Sequence, residues 1–278
     1  MTLKRVTITV KHDILKKIDN MVDKGHIRNR SHAIENLVLK SIHKTDIDTA
    51  VIMAGGDASG LRPFTYEIPK SLIPIQGKPI LLHQIKFLKK YNIDNIIITI
   101  GDGYEKTKEY FGDGSKFGVN IEYLVENKPL GTVGALRLLK NRIKGSFLFL
   151  NVDTLMNPDV QESITFHKKQ NSVVTVFLVT EGNPSKFGVA RMRGNDILEF
   201  VEKPPKGKAP SNLINAGFCI MESDVFKYIP KRKYMIEELF NRLSSVHKLS
   251  GFLHDGQIFD VGTSEGYERA IKNWKSIK

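Results

Sequence analysis

Apolar positions change period twice in the first 46 residues. Val6, Ile8 and Val10 alternate with Arg5, Thr7 and Thr9, the period-two pattern of one short amphipathic strand. Ile14, Leu15, Ile18, Met21 and Val22 then share one face of a helix predicted over 13–24, with Gly25 placed to stop it. Ser31 starts a second helix, whose apolar stripe is Ile34, Leu37, Val38 and Ile42. A lone strand has no ladder partner in so short a segment, and about forty residues cannot close a core, so the pattern predicts pairing with the same strand of a second chain.

From residue 47 the pattern is that of an α/β sheet. The apolar run Ala50 to Ala54 reads as a buried strand and ends at Gly55-Gly56. An amphipathic helix follows Gly77-Lys78-Pro79 through Leu81, Leu82, Ile85, Leu88 and Tyr91, and then come a β-branched run at 95–100, a helix around 104–111 and a strand at 119–125. Leu130 to Ala135 is predicted to open the next helix, and 147–151 is another buried strand. Strands alternating with helices predict parallel βαβ units and a doubly wound sheet. Beyond Ser172 strands crowd together at 173–179, 189–192, 197–201 and 214–221, which predicts a mixed extension forming a second pocket wall, closed by a helix over 264–274. Thr45 to Asp48 contains neither Gly nor Pro, so the division is a head, 1–46, and a body, 47–278, joined with limited freedom.

Composition adds charge and compartment. The chain has 278 residues, 41% hydrophobic and 26% charged, with a formal net charge of +12. Residues 1–46 hold ten Lys or Arg against five Asp or Glu, a density of positive charge that suits a polyanion partner for the head in particular. No apolar run approaches the roughly 18 residues of a membrane helix, and the N-terminus lacks a signal-peptide core, which together predict a cytoplasmic protein with no membrane partner. The single cysteine, Cys219, lies in an apolar run and reads as core.

The candidate chemistry begins at the first strand of the body. Glycines after a strand's carboxyl end let backbone N–H groups approach a ligand, so Gly55 and Gly56 form a candidate phosphate cradle, with Lys70 fixed behind Pro69. It is not a Walker loop, since Gly60 is followed by Leu61, and its glycine spacing is not the Rossmann one.

Gly55, Gly56, Leu61, Pro63, Thr65, Pro69 and Lys70 fall in the order GGxxxxLxPxTxxxPK, which resembles the GGxGTRLxPxTxxxPK signature of the sugar-1-phosphate nucleotidylyltransferases. The resemblance implies a nucleotide-diphospho-sugar transferase-like, Rossmann-like fold, with a nucleoside triphosphate and a sugar-1-phosphate, or a nucleotide sugar, as ligands. Leu130 to Ala135 is similar to the family's LGTAGAL segment, which places Gly131 against the nucleotide base and sugar. Asn151-Val152-Asp153 and Asp260-Val261-Gly262-Thr263 match its acidic segments, the first without the family's middle glycine. The resemblance makes Asp153 and Asp260 ligands of Mg²⁺ or Mn²⁺, Lys70 the stabiliser of the pentavalent phosphorus, and Lys203 the holder of the sugar phosphate. Gly188, Glu202 and Asn215 become sugar contacts. Where the signature carries Gly-Thr-Arg this chain has Ala58-Ser59-Gly60, so the arginine that braces the leaving pyrophosphate is missing. Arg62 lies two residues on, about 6–7 Å along extended chain, and replaces it only if the loop is re-formed, for which Gly60 at positive φ offers freedom. Two functions stay open: an active nucleotidylyltransferase fused to a DNA-binding or dimerisation head, and a catalytically degenerate regulator that senses a nucleotide or nucleotide sugar.

The strand-helix-helix head resembles the ribbon-helix-helix DNA-binding family. That resemblance implies a homodimer whose paired strands enter the major groove of double-stranded DNA. Arg5, Thr7 and Thr9 would read base edges, and Ser31 at the second helix start would hold a phosphate. A head that only clips two chains together is the alternative, and a tetramer of two dimers bridged through the bodies is compatible with either.

Overall fold

The computed structural model describes residues 4, 6–23, 27–42, 46–56, 59–101, 104–126 and 130–275, and the chain divides into two compact units, 1–44 and 45–278. Arg5, Gly25 and Thr45 lie outside the described residues, and so does Ala58 in the signature loop.

In the smaller unit, α1 spans His12–Asp19 and α2 spans Arg30–Ile42. The first helix therefore stops short of the predicted residue 24. The second begins one residue early, because the Asn29 side chain accepts the backbone N–H of His32 at 2.9 Å and takes the capping role expected of Ser31, whose own position is exposed. Arg30 donates from Nε and Nη2 to both Asp19 carboxylate oxygens, at 2.7 and 2.8 Å, tying the two helices together over buried Ile18 and Ala33. Residues 6–10 form no ladder in the single chain, and Val6, Ile8 and Val10 are 78, 52 and 37% exposed. Thr7 and Thr9 are exposed as well, so neither face of this segment is covered.

The larger unit contains β1 (Thr49–Met53), a hairpin of β2 (Pro74–Ile75) and β3 (Lys78–Pro79), α3 (Ile80–Lys90), β4 (Asn95–Ile100), α4 (Glu105–Phe111) and β5 (Asn120–Val125). It continues with β6 (Ser146–Asn151), β7 (Thr154–Met156), α5 (Val160–Gln170), β8 (Val174–Thr180), β9 (Gly188–Arg193), β10 (Asp196–Glu202) and β11 (Leu213–Glu222), and ends in α6 (Ile236–Ser244), β12 (Leu249–Leu253), β13 (Ile258–Asp260) and α7 (Ser264–Asn273). Among the described residues nine strands form one sheet, ordered β5-β4-β1-β6-β11-β8-β12-β10-β9. The first four are parallel, and β11 runs antiparallel to both β6 and β8, so the doubly wound half and the mixed extension are both present. The expected helix at Leu130 to Ala135 is not. Leu130 and Gly134 pack too closely for a side chain at 134, and the chain makes only a 3-10 turn at Ala135–Leu139.

Both faces of the sheet are covered, which is why its central strands read as continuous apolar runs. Ala50 and Ile52 face a core shared with Leu81, Ile85 and Trp274, while Val51 and Met53 face Leu136, Leu139 and Phe240. Helix α7 is held at its end by Trp274, whose Nε1–H donates to His83 Nδ1 at 3.2 Å. The opposite ring nitrogen of His83 donates to the Ile75 carbonyl at 2.9 Å. This anchorage matters because α7 begins just after Asp260. Cys219 is buried and burial pushes its thiol up, consistent with a core residue. No helix among the described residues is long and apolar enough to cross a membrane.

Candidate active site

The parallel register brings the ends of β1 and β6 together, with Met53 opposite Asn151. Val152 donates its backbone N–H to the Met53 carbonyl at 3.0 Å, so the turn that delivers Asp153 starts beside the Gly55-Gly56 turn. Gly56 has φ of +131°, a conformation side chains rarely adopt, so the turn requires glycine there. Val152, where the family pattern has glycine, is 2% exposed and packs in the core, so the substitution puts no side chain into the cleft.

Two strands too short for the main sheet fix the acidic pair. In the β7–β13 ladder Thr154 faces Asp260, and Val261 N–H donates to the Asp153 carbonyl at 2.7 Å. Gly262 sits between the two carboxylates: a Cβ there would lie 3.0 Å from Asp260 Oδ1 and 3.1 Å from Asp153 Oδ2, which bounds the oxygen separation at the sum of the two. Lys70 Nζ lies 2.8 Å from Asp153 Oδ2. Burial raises the Asp260 carboxyl above its usual range, and the Asp153 charge adds to the rise; the Gly262 N–H and the cations Lys70 and Lys203 oppose it. Three residues predicted from separate motifs thus converge.

The sequence reading did not single out the residue that aims Asp153. Gln84, 4% exposed on α3, donates from Nε2 to the carbonyls of Asn151 and Thr154, both at 2.8 Å, and so clamps the turn from both sides of Asp153. Only its polarity on an otherwise apolar helix face signals it. Gly217 approaches the same turn from β11 at φ of +70°, where a Cβ would be 2.6 Å from Thr154 Oγ1. The register shift in β11 between Asn215 and Cys219 makes this approach.

A cavity of about 610 Å³ opens beside the acidic pair, lined by Gly188, Glu202, Lys203 and Asn215 as well as Asp153 and Asp260. Gly188 has no room for a side chain, because a Cβ would overlap the Phe200 ring and lie 2.7 Å from Glu202 Oε2. Burial raises the Glu202 carboxyl, and Glu237 across the cavity raises it further, against a smaller lowering by Lys203. Lys203 is held at φ of +46°, a strained conformation for a side chain of its kind. Gly131, at φ of +83°, packs on the Tyr234 carbonyl, and Thr132 Oγ1 accepts the Ile236 N–H at 2.9 Å, joining the turn at 130–134 to the first residue of α6.

One expectation about the loop needs correction. Gly60 is not at positive φ: it lies in a 3-10 turn at Ser59–Leu61, and glycine is needed there because a Cβ would overlap the Gly262 carbonyl oxygen. Arg62, the conditional substitute for the missing arginine, is exposed, with its guanidinium 5.1 Å over the Tyr66 ring.

An open α/β sheet with carboxylates, a lysine and a glycine turn at its strand carboxyl ends is the arrangement of nucleotide-handling proteins. The chain belongs to the nucleotidyl transferase family, whose model matches residues 49–276. It is 36% identical over 220 residues to the bifunctional protein GlmU of Methanococcus maripaludis, covering 77% of this chain and 51% of that protein. It is 32% identical over 235 residues to the mannose-1-phosphate guanylyltransferase of Mycobacterium tuberculosis, covering 82% of this chain and 64% of that one. The chain thus spans about half to two thirds of the curated relatives it matches. A Bacillus anthracis structure assigned as a glucose-1-phosphate thymidylyltransferase superposes with a TM-score of 0.74 at 27% identity, covering 81% of this chain and 94% of that one.

Proposed function

We propose that the body transfers a nucleotidyl group from a nucleoside triphosphate to a sugar-1-phosphate, releasing pyrophosphate. The observation that carries this is the convergence of Lys70, Asp153 and Asp260 at one edge of the cavity that Gly188, Glu202, Lys203 and Asn215 line. An oxygen of the sugar phosphate attacks the α-phosphorus and forms the new P–O bond, while the bond to the β-phosphate oxygen breaks and pyrophosphate leaves with its electron pair. The attacking oxygen is already anionic, so no general base is needed; catalysis is alignment and charge neutralisation.

Asp153 and Asp260 fit a hard divalent cation such as Mg²⁺ or Mn²⁺, since both donors are carboxylate oxygens converging on the cradle that Gly262 leaves open. When bound, such a cation supplies neutralisation of the triphosphate charge. Lys70 stabilises charge at the α-phosphorus, Lys203 holds the sugar phosphate, and Gly55 and Gly56 present backbone to the triphosphate. Glu202 and Asn215 orient sugar hydroxyls.

Pyrophosphate release measured over a panel of triphosphates and sugar-1-phosphates with added MgCl₂ or MnCl₂ tests this. Turnover is expected, and Lys70→Met is expected to lower it roughly 10²- to 10³-fold. Selective binding with no turnover across the panel sinks the transferase and leaves the nucleotide-sensing regulator, the reading that the missing loop arginine favours.

The head carries a separate proposal: a ribbon-helix-helix dimer that binds DNA, with Thr7, Thr9 and Arg5 toward the bases and Ser31 near a phosphate. The uncovered alternation at residues 6–10 supports it. The full chain is expected to sediment as a dimer or a multiple of one. Its DNA affinity is expected to fall with rising salt, and Thr7→Ala with Thr9→Ala to weaken sequence preference more than total affinity. A monomer with no DNA affinity at low salt refutes the proposal.

A further inference from the structure

Lys70 is fixed in its backbone and free in its stem. It opens a 3-10 turn at Lys70–Leu72, in which the Ile73 N–H donates to the Lys70 carbonyl at 3.1 Å. Ser71, 2% exposed, ties that turn to α4 through a 2.6 Å contact between its hydroxyl and that of Thr107. The ammonium, on a flexible four-carbon stem, is therefore the part of the residue that can move. It is directed at Asp153, with Nζ 2.8 Å from Oδ2 and the Lys70 side chain only 14% exposed.

Asp153 Oδ2 is also the oxygen that meets Asp260 across Gly262, where a Cβ would stand 3.1 Å from it and 3.0 Å from Asp260 Oδ1. One oxygen thus serves both the ammonium and the cradle between the carboxylates. Mg²⁺ binds a carboxylate oxygen at roughly 2.1 Å, so an ammonium left on the same oxygen would stand about 4 Å from the ion. Like charges at that range repel strongly in a partly buried cleft, where water screens them poorly. Lys203 acts on the same pair less directly. It lowers the Asp260 carboxyl by less than Lys70 does, and its own Nζ lies 3.7 Å from Glu202 Oε1.

We propose that Lys70 is the internal counter-cation of Asp153 and must leave it before a divalent cation binds the acidic pair; this rests on the reading above of that pair as a cation site. In the cation-free protein the two neighbouring carboxylates are tolerated because one of them is paired with Lys70. Entry of a divalent cation replaces one charge by another on Oδ2, with no covalent bond made or broken, and frees the ammonium for a new anionic partner. A lone divalent cation is therefore opposed by Lys70. A cation that arrives with a triphosphate meets less opposition, because the phosphates offer the ammonium a second partner. Loading of the acidic pair and release of Lys70 are one event.

Titration of the nucleotide-free chain with MnCl₂ at about pH 8, following the electron paramagnetic resonance signal of free Mn²⁺, tests the assignment with the carboxyls ionised. Lys70→Met is expected to bind Mn²⁺ roughly tenfold or more tighter than wild type, and Lys203→Met to stay within about threefold of it. Lys70→Gln keeps a donor for Asp153 without the charge and is expected to gain as well, which covers the case that Lys70→Met folds poorly. In chelator, Lys70→Met is expected to melt below wild type, and saturating MnCl₂ to close that gap as the ion takes the ammonium's place. Mn²⁺ binding by wild type that neither Lys70 variant improves would keep the cation site and overturn the proposal. An equal gain in Lys203→Met, or a melting gap that MnCl₂ leaves unchanged, would also overturn it. Absence of Mn²⁺ binding by wild type and all variants would discard the cation site itself, and the proposal with it.

Discussion

Asp260→Asn is expected to reduce nucleotidyl transfer roughly 10²- to 10³-fold and, in the same protein, to raise the melting temperature measured with chelator present. The two effects share one cause. Asp260 is buried beside Asp153, and both circumstances hold its carboxyl above the usual range. A folded pKa above the unfolded value means that the protonated form supports the fold. That stability is fully present below the unfolded pKa and is lost as pH rises through the folded one. Asparagine removes the charge that costs stability at neutral pH, and its Oδ1 can still accept the Gly262 N–H that Asp260 accepts at 2.9 Å. The gain in melting temperature is therefore expected to shrink as the pH is lowered, and divalent-cation affinity of the wild type is expected to rise with pH over the same window. Differential scanning fluorimetry across pH, with the pyrophosphate assay alongside, measures both. Unimpaired turnover would take this carboxyl out of the reaction, and a lower melting temperature in chelator would show that its charge does not cost the fold stability.

Restoring the signature arginine is expected to harm the protein. The family pattern places arginine where this chain has Gly60, and a simple repair would be Gly60→Arg. A Cβ at that position would overlap the carbonyl oxygen of Gly262, which is backbone and cannot rotate aside. The expected result is a melting temperature lower by roughly 5 °C or more and turnover no higher than wild type, because the loop must leave the strand that carries Asp260. Gly60→Ala isolates the steric part and should reproduce most of the loss of stability. A stable and more active Gly60→Arg protein would show that the loop has room to re-form.

The convergence of Asp153, Asp260 and Lys70 was foreshadowed in the sequence because each residue sits in a motif. Gly188, Glu202, Lys203 and Asn215, also motif positions, line one cavity. The expectations that failed concern backbone. The helix at Leu130 to Ala135 was inferred from an apolar run, whereas the close packing of Leu130 on Gly134 and the bond from Thr132 to Ile236 hold that segment as a turn. Gly60 was read as a source of conformational freedom, when its role is to leave space for a carbonyl more than two hundred positions away. Gln84 was not read at all, since one amide on an apolar helix matches no spacing rule. Its significance is in what it touches, the carbonyls of Asn151 and Thr154. In the head, capping by Asn29 instead of Ser31 shows the usual uncertainty of a helix start, where adjacent polar residues compete for one free N–H.

The ladder between β7 and β13 has a consequence for biogenesis. Its two strands pair Thr154 with Asp260, so they join segments separated by about a hundred intervening residues and make one of the longest-range pairings in the body. Closing so large a loop is slow relative to local structure. A nascent body that has completed β1, β4 and β6 therefore already owns its glycine turn and Asp153, yet lacks the opposing carboxylate until β13 emerges and docks. If the pair holds a cation as proposed, regain of cation affinity during refolding is expected to lag behind the return of sheet signal, because the two carboxylates face each other only after that last docking.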